Sequence, residues 1–262
     1  MNGREIIQAL HAGQRVYSSA IVAPSPLWPA LAKQSGIDFV FVDTEHIPLD
    51  RQTLAWICQA YLALGLPSVV RLPCNDPIEA CKALDAGAGG VIGPYVETAE
   101  QVRGLAGAVK YRPLKGRRLQ EALADSGTLE PALREYLEQR NGDKILIVNI
   151  ESTPAIENLA EICSVPGLDA VLIGPHDLTC SLGIPEQYEH PRFHEAVRTI
   201  FRIAREHNVG AGIHYWLGVE QEIAFAKAGG NLIMHSSDLA IFSRTLKSEI
   251  EQLRQALGDG KG

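Results

Sequence analysis

The sequence predicts an α/β barrel in which eight parallel strands alternate with helices around one closed sheet. Short runs rich in Val, Ile and Leu recur along all 262 residues, as in strands that are covered on both faces. Helical patterns separate these runs, and most of them end at a glycine, which closes a helix in the left-handed conformation. A length near 260 residues is ordinary for a (β/α)8 TIM barrel that forms a single domain, here residues 1–262.

An amphipathic helix at 4–11 opens the chain, and the predicted strands follow. They lie at 16–21, 38–43, 68–71, 90–92, 145–150, 170–173, 211–214 and 231–235. Six of them come shortly after a helix-closing glycine, namely Gly36, Gly65, Gly87, Gly167, Gly210 and Gly229. Such alternation indicates a parallel sheet. A doubly wound open sheet is the alternative, but no GxGxxG or GxxxxGK[ST] loop follows any strand.

One connection is too long for a plain strand–helix unit. Between Pro94 and Lys144 the pattern predicts a helix at 98–109, a basic loop at 110–118 and a charged helical stretch up to Arg140. In a compact domain, an oversized connection is usually a lid, a subunit contact or a substrate loop.

The composition favours a small-molecule ligand. The chain has 24 Lys and Arg against 31 Asp and Glu, a net charge of −7, so nucleic acid and anionic membranes are not expected partners. No apolar run reaches the length of a membrane span, and the polar N-terminus lacks a signal sequence. An odd number of cysteines without CxxC spacing predicts reduced core residues and a cytoplasmic protein; these are Cys58, Cys74, Cys81, Cys163 and Cys180.

Polar residues stand at most of the predicted strand ends, where α/β barrels carry their functional groups. They are Asp43, Glu45, His46, Arg71, Asn149, Glu151, His176, Asp177, His214 and His235. Any one of them is more often scaffold than catalyst, but the set as a whole favours a site. The carboxylates of Glu151 and Asp177 follow neighbouring strands, and such oxygen ligands suit Mg²⁺ or Mn²⁺.

Lysine is absent from these strand ends, although a Schiff-base aldolase needs a lysine inside its pocket. A carbanion in this site must therefore be stabilised by a metal. With Glu151 and Asp177 holding the ion, a 2-oxo acid could chelate it, and Arg71 could stabilise the growing enolate. His46 would transfer protons near neutral pH.

Several motifs together are specific. They are residues 38–46 (DFVFVDTEH), Val70-Arg71 with 75–77 (NDP), 93–99 (GPYVETA), Ile150-Glu151, and 173–179 (IGPHDLT). With these motifs, nearly the whole chain resembles the HpcH/HpaI family of metal-dependent pyruvate aldolases. These enzymes cleave 4-hydroxy-2-oxo acids into pyruvate and an aldehyde. The resemblance implies a TIM barrel assembled as a homohexamer with the last helix exchanged between neighbours, which assigns that role to residues 238–257.

The resemblance also implies residue roles. Glu151 and Asp177 would bind Mg²⁺, Mn²⁺ or Co²⁺, Arg71 would stabilise a metal-bound pyruvate enolate, and His46 would be the acid/base. Substrate contacts are expected from Arg71, His176, Asp177, Asn149 and Arg118.

The family pairs its histidine with an aspartate that corresponds to Asp85. An acid in the last turn of a helix opposes the helix dipole and lies at the pole away from its own site. If Asp85 serves a catalytic histidine, that histidine belongs to a neighbouring subunit; the alternative is a solvated surface residue.

Four positions depart from the family pattern. Thr44 and Leu119 stand where the family usually has glycine, Asn149 where it has Gln, and His176 where it has a small residue. These changes are expected to reshape the pocket or the metal site. Decarboxylation of a 2-oxo acid such as oxaloacetate is a second reading because it uses the same enolate. A third reading is a non-catalytic barrel that binds a small carboxylate.

Overall fold

The computed structural model describes residues 1–215 and 218–259. Residues 260–262, which the predicted domain includes, lie outside this part. Eight parallel strands form a closed barrel in chain order, which confirms the predicted α/β barrel and excludes the open sheet. The strands are β1 Val16–Ile21, β2 Phe39–Asp43, β3 Ser68–Arg71, β4 Gly90–Gly93, β5 Ile145–Ile150, β6 Ala170–Ile173, β7 Gly210–Tyr215 and β8 Leu232–Ser237.

Helices alternate with these strands and cover the barrel. They are α1 Gly3–His11, α2 Trp28–Gln34, α3 Arg51–Ala63, α4 Pro77–Asp85, α5 Ala99–Lys110, α6 Gly116–Ala124, α7 Pro131–Asn141, α8 Thr153–Glu157, α9 Leu159–Cys163, α10 Pro175–Ser181, α11 Pro191–Glu206, α12 Val219–Lys227 and α13 Asp238–Leu257. Within the described ranges, no helix is both long enough and apolar enough to span a bilayer.

Side chains alternate between an inner and an outer core, as strand geometry requires. The inner core fills the barrel and includes Phe39, Phe41, Met234 and, from α1, Ile6 and Leu10. Because α1 contributes to this cluster, it closes the amino end of the barrel. The outer core lies between strands and helices. The carboxyl end is thus the side on which polar residues can collect.

Most predicted helix-closing glycines have positive φ, including Gly36, Gly65, Gly87, Gly167 and Gly229. The prediction for Gly210 was wrong. Asn208 takes the left-handed conformation after α11, with φ 58°, as asparagine tolerates. Gly210 instead begins β7, where a Cβ atom would lie 2.8 Å from Leu10 and 3.1 Å from Ala170. A larger residue at this position would crowd the barrel interior.

The long connection folds at the amino end of the barrel. Lys110, the last residue of α5, donates hydrogen bonds to the carbonyl of Lys144 at 2.5 Å and to Asp169 at 2.7 Å, and these residues precede β5 and β6. The predicted loop at 110–118 is too long, since α6 already begins at Gly116. Leu119 packs on α5, where a Cβ atom at Gly107 would lie 3.3 Å from it. The glycine that the family has at this position is therefore replaced by a packing residue.

All five cysteines are free thiols, but only two occupy the predicted core. Cys58 and Cys163 are buried, Cys81 is half-buried, and Cys74 and Cys180 are exposed. The prediction was therefore wrong for Cys74 and Cys180. The reason is that these two residues fall in a loop and on the outer side of a short helix rather than under the barrel helices.

Candidate active site at the carboxyl end of the barrel

A group of inward-facing polar residues occupies the carboxyl ends of the strands. Phe41 of β2 and Val69 of β3 belong to the inner core, so the alternation places Asp43 and Arg71, two residues further on, in the same inner rows. These two residues are directly paired in the strand register. Asn149 and Glu151 follow Ile147 of β5 in the same way. The fold therefore brings these four predicted residues to one end of the barrel.

Arg71 is held by carboxylates on one side and by an aromatic ring on the other. Its Nε and one terminal nitrogen donate to the two oxygens of Asp43 at 2.9 and 2.7 Å, a bidentate pair. Glu45 lies 3.1 Å from Nε, and the guanidinium carbon lies 5.3 Å from the centre of the Phe41 ring. Only 12% of the Arg71 side chain is exposed. A buried guanidinium needs an anionic partner, and for Arg71 the protein itself supplies it.

Asp43 is fixed as an anion. Burial opposes its ionisation, but hydrogen bonds and charge from Arg71, together with the backbone N–H groups of Glu45 and His46, lower the pKa of Asp43 below its usual value. The Thr44 hydroxyl donates a hydrogen bond of 2.6 Å to the Arg71 carbonyl. Thr44, where the family usually has glycine, thus ties the ends of β2 and β3 together. The roles of Asp43 and Glu45 were missed from sequence. The signal that could have shown the first is that Asp43 and Arg71 each end a predicted strand, and the two strands are consecutive in the chain.

Glu151 is a buried carboxylate with few donors. Asn149 donates to its Oε1 at 2.7 Å, and the backbone N–H of Tyr95 reaches its Oε2 only at 3.5 Å. Burial raises the pKa of Glu151 to about 7; Asp177 and Glu45 add to the shift, whereas Asn149 and Arg71 oppose it. Gly174 leaves room for this carboxylate, because a Cβ atom there would overlap Glu151 Oε1.

The carboxylates of Glu151 and Asp177 fit a divalent cation. Asp177 is exposed in the first turn of α10, directly after β6, and its charge acts on Glu151. Across the described ranges, no group of three or more His, Cys, Asp and Glu side chains forms a complete cage. Mg²⁺ commonly uses one or two carboxylates and completes its octahedron with waters and substrate oxygens. A cation would also offset the repulsion from Asp177 and Glu45, which adds to the effect of burial on the pKa of Glu151.

We expect Glu151→Gln to stabilise the metal-free protein at high pH. The folded pKa of about 7 lies above the ordinary 4.5, so the stability contributed by the neutral carboxyl is present below pH 4.5 and lost as the pH rises through 7. Above that pH, the amide should raise the free energy of unfolding by up to about 3 kcal/mol. Urea unfolding in EDTA at pH 5 and pH 8 measures this. Glu157→Gln, on the exposed side of α8, is the control, and an equal gain at both pH values would contradict the expectation.

Two predicted residues and one missed residue lie at the mouth of the site. His46 follows β2, is 59% exposed, and has its Nε2 3.8 Å from Glu45. His176 precedes Asp177 and faces Glu186, with 3.9 Å between Nδ1 and Oε1. Tyr95, which follows β4 with φ 53°, was not singled out from sequence. A hydrogen bond to Glu45, aided by burial, raises the pKa of Tyr95 to about 12, so its hydroxyl remains a donor.

Asp85 and Arg118 do not join this group. Asp85 ends α4 on the amino side of the barrel, is 73% exposed, and pairs with Arg112 at 3.0 Å. Arg118 lies in α6 and pairs with Glu121 and Glu130. Arg118 does not reach the strand-end group of its own barrel, because the connection that carries it folds beneath the opposite end. The substrate contact expected for Arg118 stays a prediction. The predicted position of Asp85, at the pole away from its own site, is confirmed.

The two strand-end histidines point in opposite directions. Met234 of β8 lies in the inner core, so His235 faces outward, and its Nδ1 lies 2.7 Å from Glu222 of α12. The expectation that His235 joins the polar convergence was wrong, because the alternation of β8 turns it away. His214 of β7 faces inward, with its ring 5.3 Å from Phe41. His214 is therefore the one of the pair that belongs to the site.

Fold and site together define an α/β barrel that carries the buried guanidinium of Arg71 and the carboxylates of Glu151 and Asp177 at its carboxyl end. The family model described as HpcH/HpaI aldolase/citrate lyase matches residues 24–244. The chain is 35% identical over 211 residues to the hydroxypyruvate/pyruvate aldolase of Sagittula stellata, covering 78% of this chain and 80% of that protein. It is 34% identical over 209 residues to the 2-dehydro-3,6-dideoxy-6-sulfogluconate aldolase of Pseudomonas putida, covering 78% and 81%.

A solved structure of a relative has the same fold. The crystal structure of the HpcH/HpaI aldolase from Desulfitobacterium hafniense superposes with a TM-score of 0.81 at 26% identity, covering 94% of this chain and 95% of that one. The chain therefore belongs to the HpcH/HpaI aldolase/citrate lyase family. The resemblance seen in the sequence motifs is confirmed at this level.

Proposed function

We propose that the protein is a divalent-metal-dependent aldolase that cleaves a 4-hydroxy-2-oxo acid into pyruvate and an aldehyde. The observation that carries the proposal is the placement of the carboxylate-held Arg71 and the buried Glu151 at one end of the barrel, with Asp177 beside Glu151. Relatives named as pyruvate and deoxy-sugar-acid aldolases support it.

The reaction needs three things from this chain. The C4 hydroxyl must lose a proton, the C3–C4 bond must break, and its electron pair must come to rest on the C2 oxygen as an enolate. Glu151 and Asp177 would hold a cation, which when bound polarises the 2-oxo group as a Lewis acid. Arg71 would donate to the oxygen that gains charge, already oriented by Asp43 before substrate arrives.

Proton transfer falls to the groups at the mouth. His46 is exposed there, next to Glu45, so its imidazole can reach a bound substrate and exchange protons with water. Asn149 orients Glu151 through the 2.7 Å hydrogen bond and would act on the cation indirectly, as a residue that positions a ligand. This is a different role from the direct substrate contact expected for Asn149.

The test is pyruvate release from a panel of 4-hydroxy-2-oxo acids with Mg²⁺, Mn²⁺ or Co²⁺. Release from at least one such acid, with an equivalent of aldehyde, would support the proposal. If oxaloacetate alone yields pyruvate, decarboxylation is the activity instead. Binding of pyruvate without turnover of any acid in the panel would favour the non-catalytic barrel.

Loss of His46 should slow cleavage without preventing enolate formation. His46→Ala is expected to lower the cleavage rate by roughly 10²–10⁴-fold, as for a missing acid/base, because no group then takes the proton from the C4 hydroxyl as it becomes the aldehyde carbonyl. Exchange of the pyruvate methyl protons with D₂O, followed by NMR, should fall less than cleavage. His207→Ala, at the exposed end of α11, is the control. An equal fall in both rates would assign the proton transfer to another group.

We also propose a homo-oligomer, a hexamer by the family resemblance. Asp238 alone is buried among the residues of α13, and the helix exposes an apolar stripe made of Leu239, Phe242, Leu246, Ile250, Leu253 and Leu257. A groove of about 1110 Å³ lies beside it between α2, α12 and α13. The length and continuity of the stripe fit helix α13 of a second copy of this chain seated along the same groove.

Assembly would bring Asp85 of one subunit to His46 of another. We therefore expect co-assembled subunits carrying His46→Ala and Asp85→Asn to recover activity that neither variant has alone, since mixing creates sites with both residues intact. His46→Ala mixed with Arg71→Ala is the control. Those two residues share one barrel, so this pair should show no recovery. A monomer in solution, or no recovery in demonstrably mixed oligomers, would leave Asp85 as the exposed ion-pair partner of Arg112.

A further inference from the structure

His214 lies in the active-site layer but has no part in the reaction proposed above. Ala211 and Ile213 of β7 pack in the outer core, so the alternation turns His214 into the barrel. Ile213 pairs with Ile173 in the strand register, which sets His214 at the level of Gly174, the residue against the Glu151 carboxylate. A half-buried imidazole thus stands at the carboxyl end of the barrel, at the level of the glycine that faces Glu151.

The backbone of β8 is distorted where His214 meets it. His214 Nε2 lies 3.1 Å from the carbonyl oxygen of Ser236, and because a carbonyl only accepts, Nε2 must carry the proton. Ser236 is a non-glycine residue with φ 49°. Between the pairs Ser18–Met234 and Ala20–Ser237, β8 contains one more residue than β1. Bulges and left-handed residues of this kind occur where a structure aims a group at a site.

A further contact of His214 leads to Arg71. The His214 and Phe41 rings meet edge to face, with centroids 5.3 Å apart and planes at 87°. The guanidinium carbon of Arg71 lies 5.3 Å from the centre of the same Phe41 ring. Phe41 is fully buried, so it cannot turn without moving both neighbours. Burial, with a smaller effect from the Arg71 charge, lowers the pKa of His214 to about 4, so no second cation competes at this ring.

We propose that His214 is a positioning residue: anchored on the carbonyl of Ser236 in the β8 bulge, its imidazole fixes the Phe41 ring, and Phe41 fixes the guanidinium of Arg71. The Asp43 carboxylate holds the guanidinium by hydrogen bonds, and the Phe41 ring packs against the guanidinium. This inference rests on the proposed role of Arg71 toward the enolate oxygen. An aliphatic side chain would fill the same space, but it would not hold the anchor on β8.

Two substitutions separate the anchor from the packing. His214→Leu keeps an apolar side chain in the barrel and removes the hydrogen bond to Ser236, whereas His214→Gln retains an amide N–H that can donate to the same carbonyl. His207→Leu, at the exposed end of α11, is the control. The assay is exchange of pyruvate methyl protons with D₂O at saturating Mg²⁺, with the maximal rate and the pyruvate KM determined separately.

His214→Leu should lower the maximal exchange rate by roughly ten- to a hundredfold, as for other residues that orient an active-site group, with a much smaller change in KM. His214→Gln should restore most of the loss. The shift in Tm caused by His214→Leu should be larger when Arg71 is present than in an Arg71→Ala background, where only the change in packing remains. The Tm shifts of the two substitutions should therefore be non-additive. That stability cycle needs no turnover.

The outcomes distinguish the two proposals. An unmodified protein that exchanges no pyruvate protons with any divalent cation would overturn the proposed function, and the stability cycle would then decide the His214–Arg71 link by itself. An active protein in which His214→Leu exchanges protons at the normal rate would overturn the inference alone. Strictly additive shifts in Tm would also overturn it, because His214 would then act independently of Arg71.

Discussion

Treatment with EDTA should abolish pyruvate release, and Mg²⁺, Mn²⁺ or Co²⁺ should restore it. The physical reason is that Glu151 and Asp177 concentrate negative charge at the carboxyl end of the barrel, with Glu45 nearby, and offer oxygen ligands that divalent cations prefer. Without the cation, only Arg71 would offset the negative charge that develops on the C2 oxygen. The measurement is pyruvate formation in metal-free buffer, followed by titration with each ion.

Borohydride with pyruvate should leave the protein active, because a Schiff base cannot form. Within the described ranges, the lysines occupy helices, loops and the amino ends of strands; they are Lys33, Lys82, Lys110, Lys115, Lys144, Lys227 and Lys247. A covalent adduct of pyruvate, or full activity in EDTA, would contradict metal dependence.

The ligand variants sharpen the same prediction. Glu151→Gln and Asp177→Asn should each abolish Mn²⁺ binding in calorimetry while the circular dichroism spectrum is unchanged, since strand-end residues contribute little to a barrel core. Glu157→Gln is the matched control, one short helix away from Glu151 and exposed. Normal Mn²⁺ affinity in both ligand variants would place the metal elsewhere.

The sequence predicted the barrel because its signals are local. Apolar runs of four to six residues recur in all eight units, positive-φ glycines precede most of the strands, and all eight predicted strands overlap the observed ones. The failures have a physical pattern. Gly210 is needed inside the barrel, where a Cβ atom would lie too close to Leu10. Asn208 therefore closes the preceding helix in the left-handed conformation instead. A list of turn residues contains no information on such clashes.

The site was only partly predictable, because orientation depends on register. His214 and His235 read alike as strand-end histidines, but the alternation on β7 and β8 sends one inward and the other toward Glu222. The position of Arg118 depends on the path of the long connection. The chain returns to the amino end of the barrel with α5 before α6, which carries Arg118, begins. Cross-strand register and connection geometry are long-range properties, and neither is written in a motif.

Arg71→Ala should abolish exchange at the methyl group of pyruvate as well as cleavage. The guanidinium is oriented in advance by Asp43 and Phe41, so its interaction with the enolate oxygen costs no reorganisation during the reaction. Loss of such a donor costs roughly 3–4 kcal/mol in the barrier, or about 10²–10³ in rate. Enolate formation itself should fail, which distinguishes this variant from His46→Ala.

Because Arg71→Ala also leaves the buried Asp43 unpaired, part of any loss could come from the fold rather than from the enolate. Arg71→Lys separates the two effects: it keeps a positive charge near Asp43 but replaces the bidentate fork with a single ammonium. We expect its fold to survive and its exchange rate to remain well below normal. Arg117→Ala, 93% exposed in α6, is the matched control. If Arg71→Lys exchanged protons at the full rate, charge alone would suffice, and the oriented guanidinium would not be what stabilises the enolate.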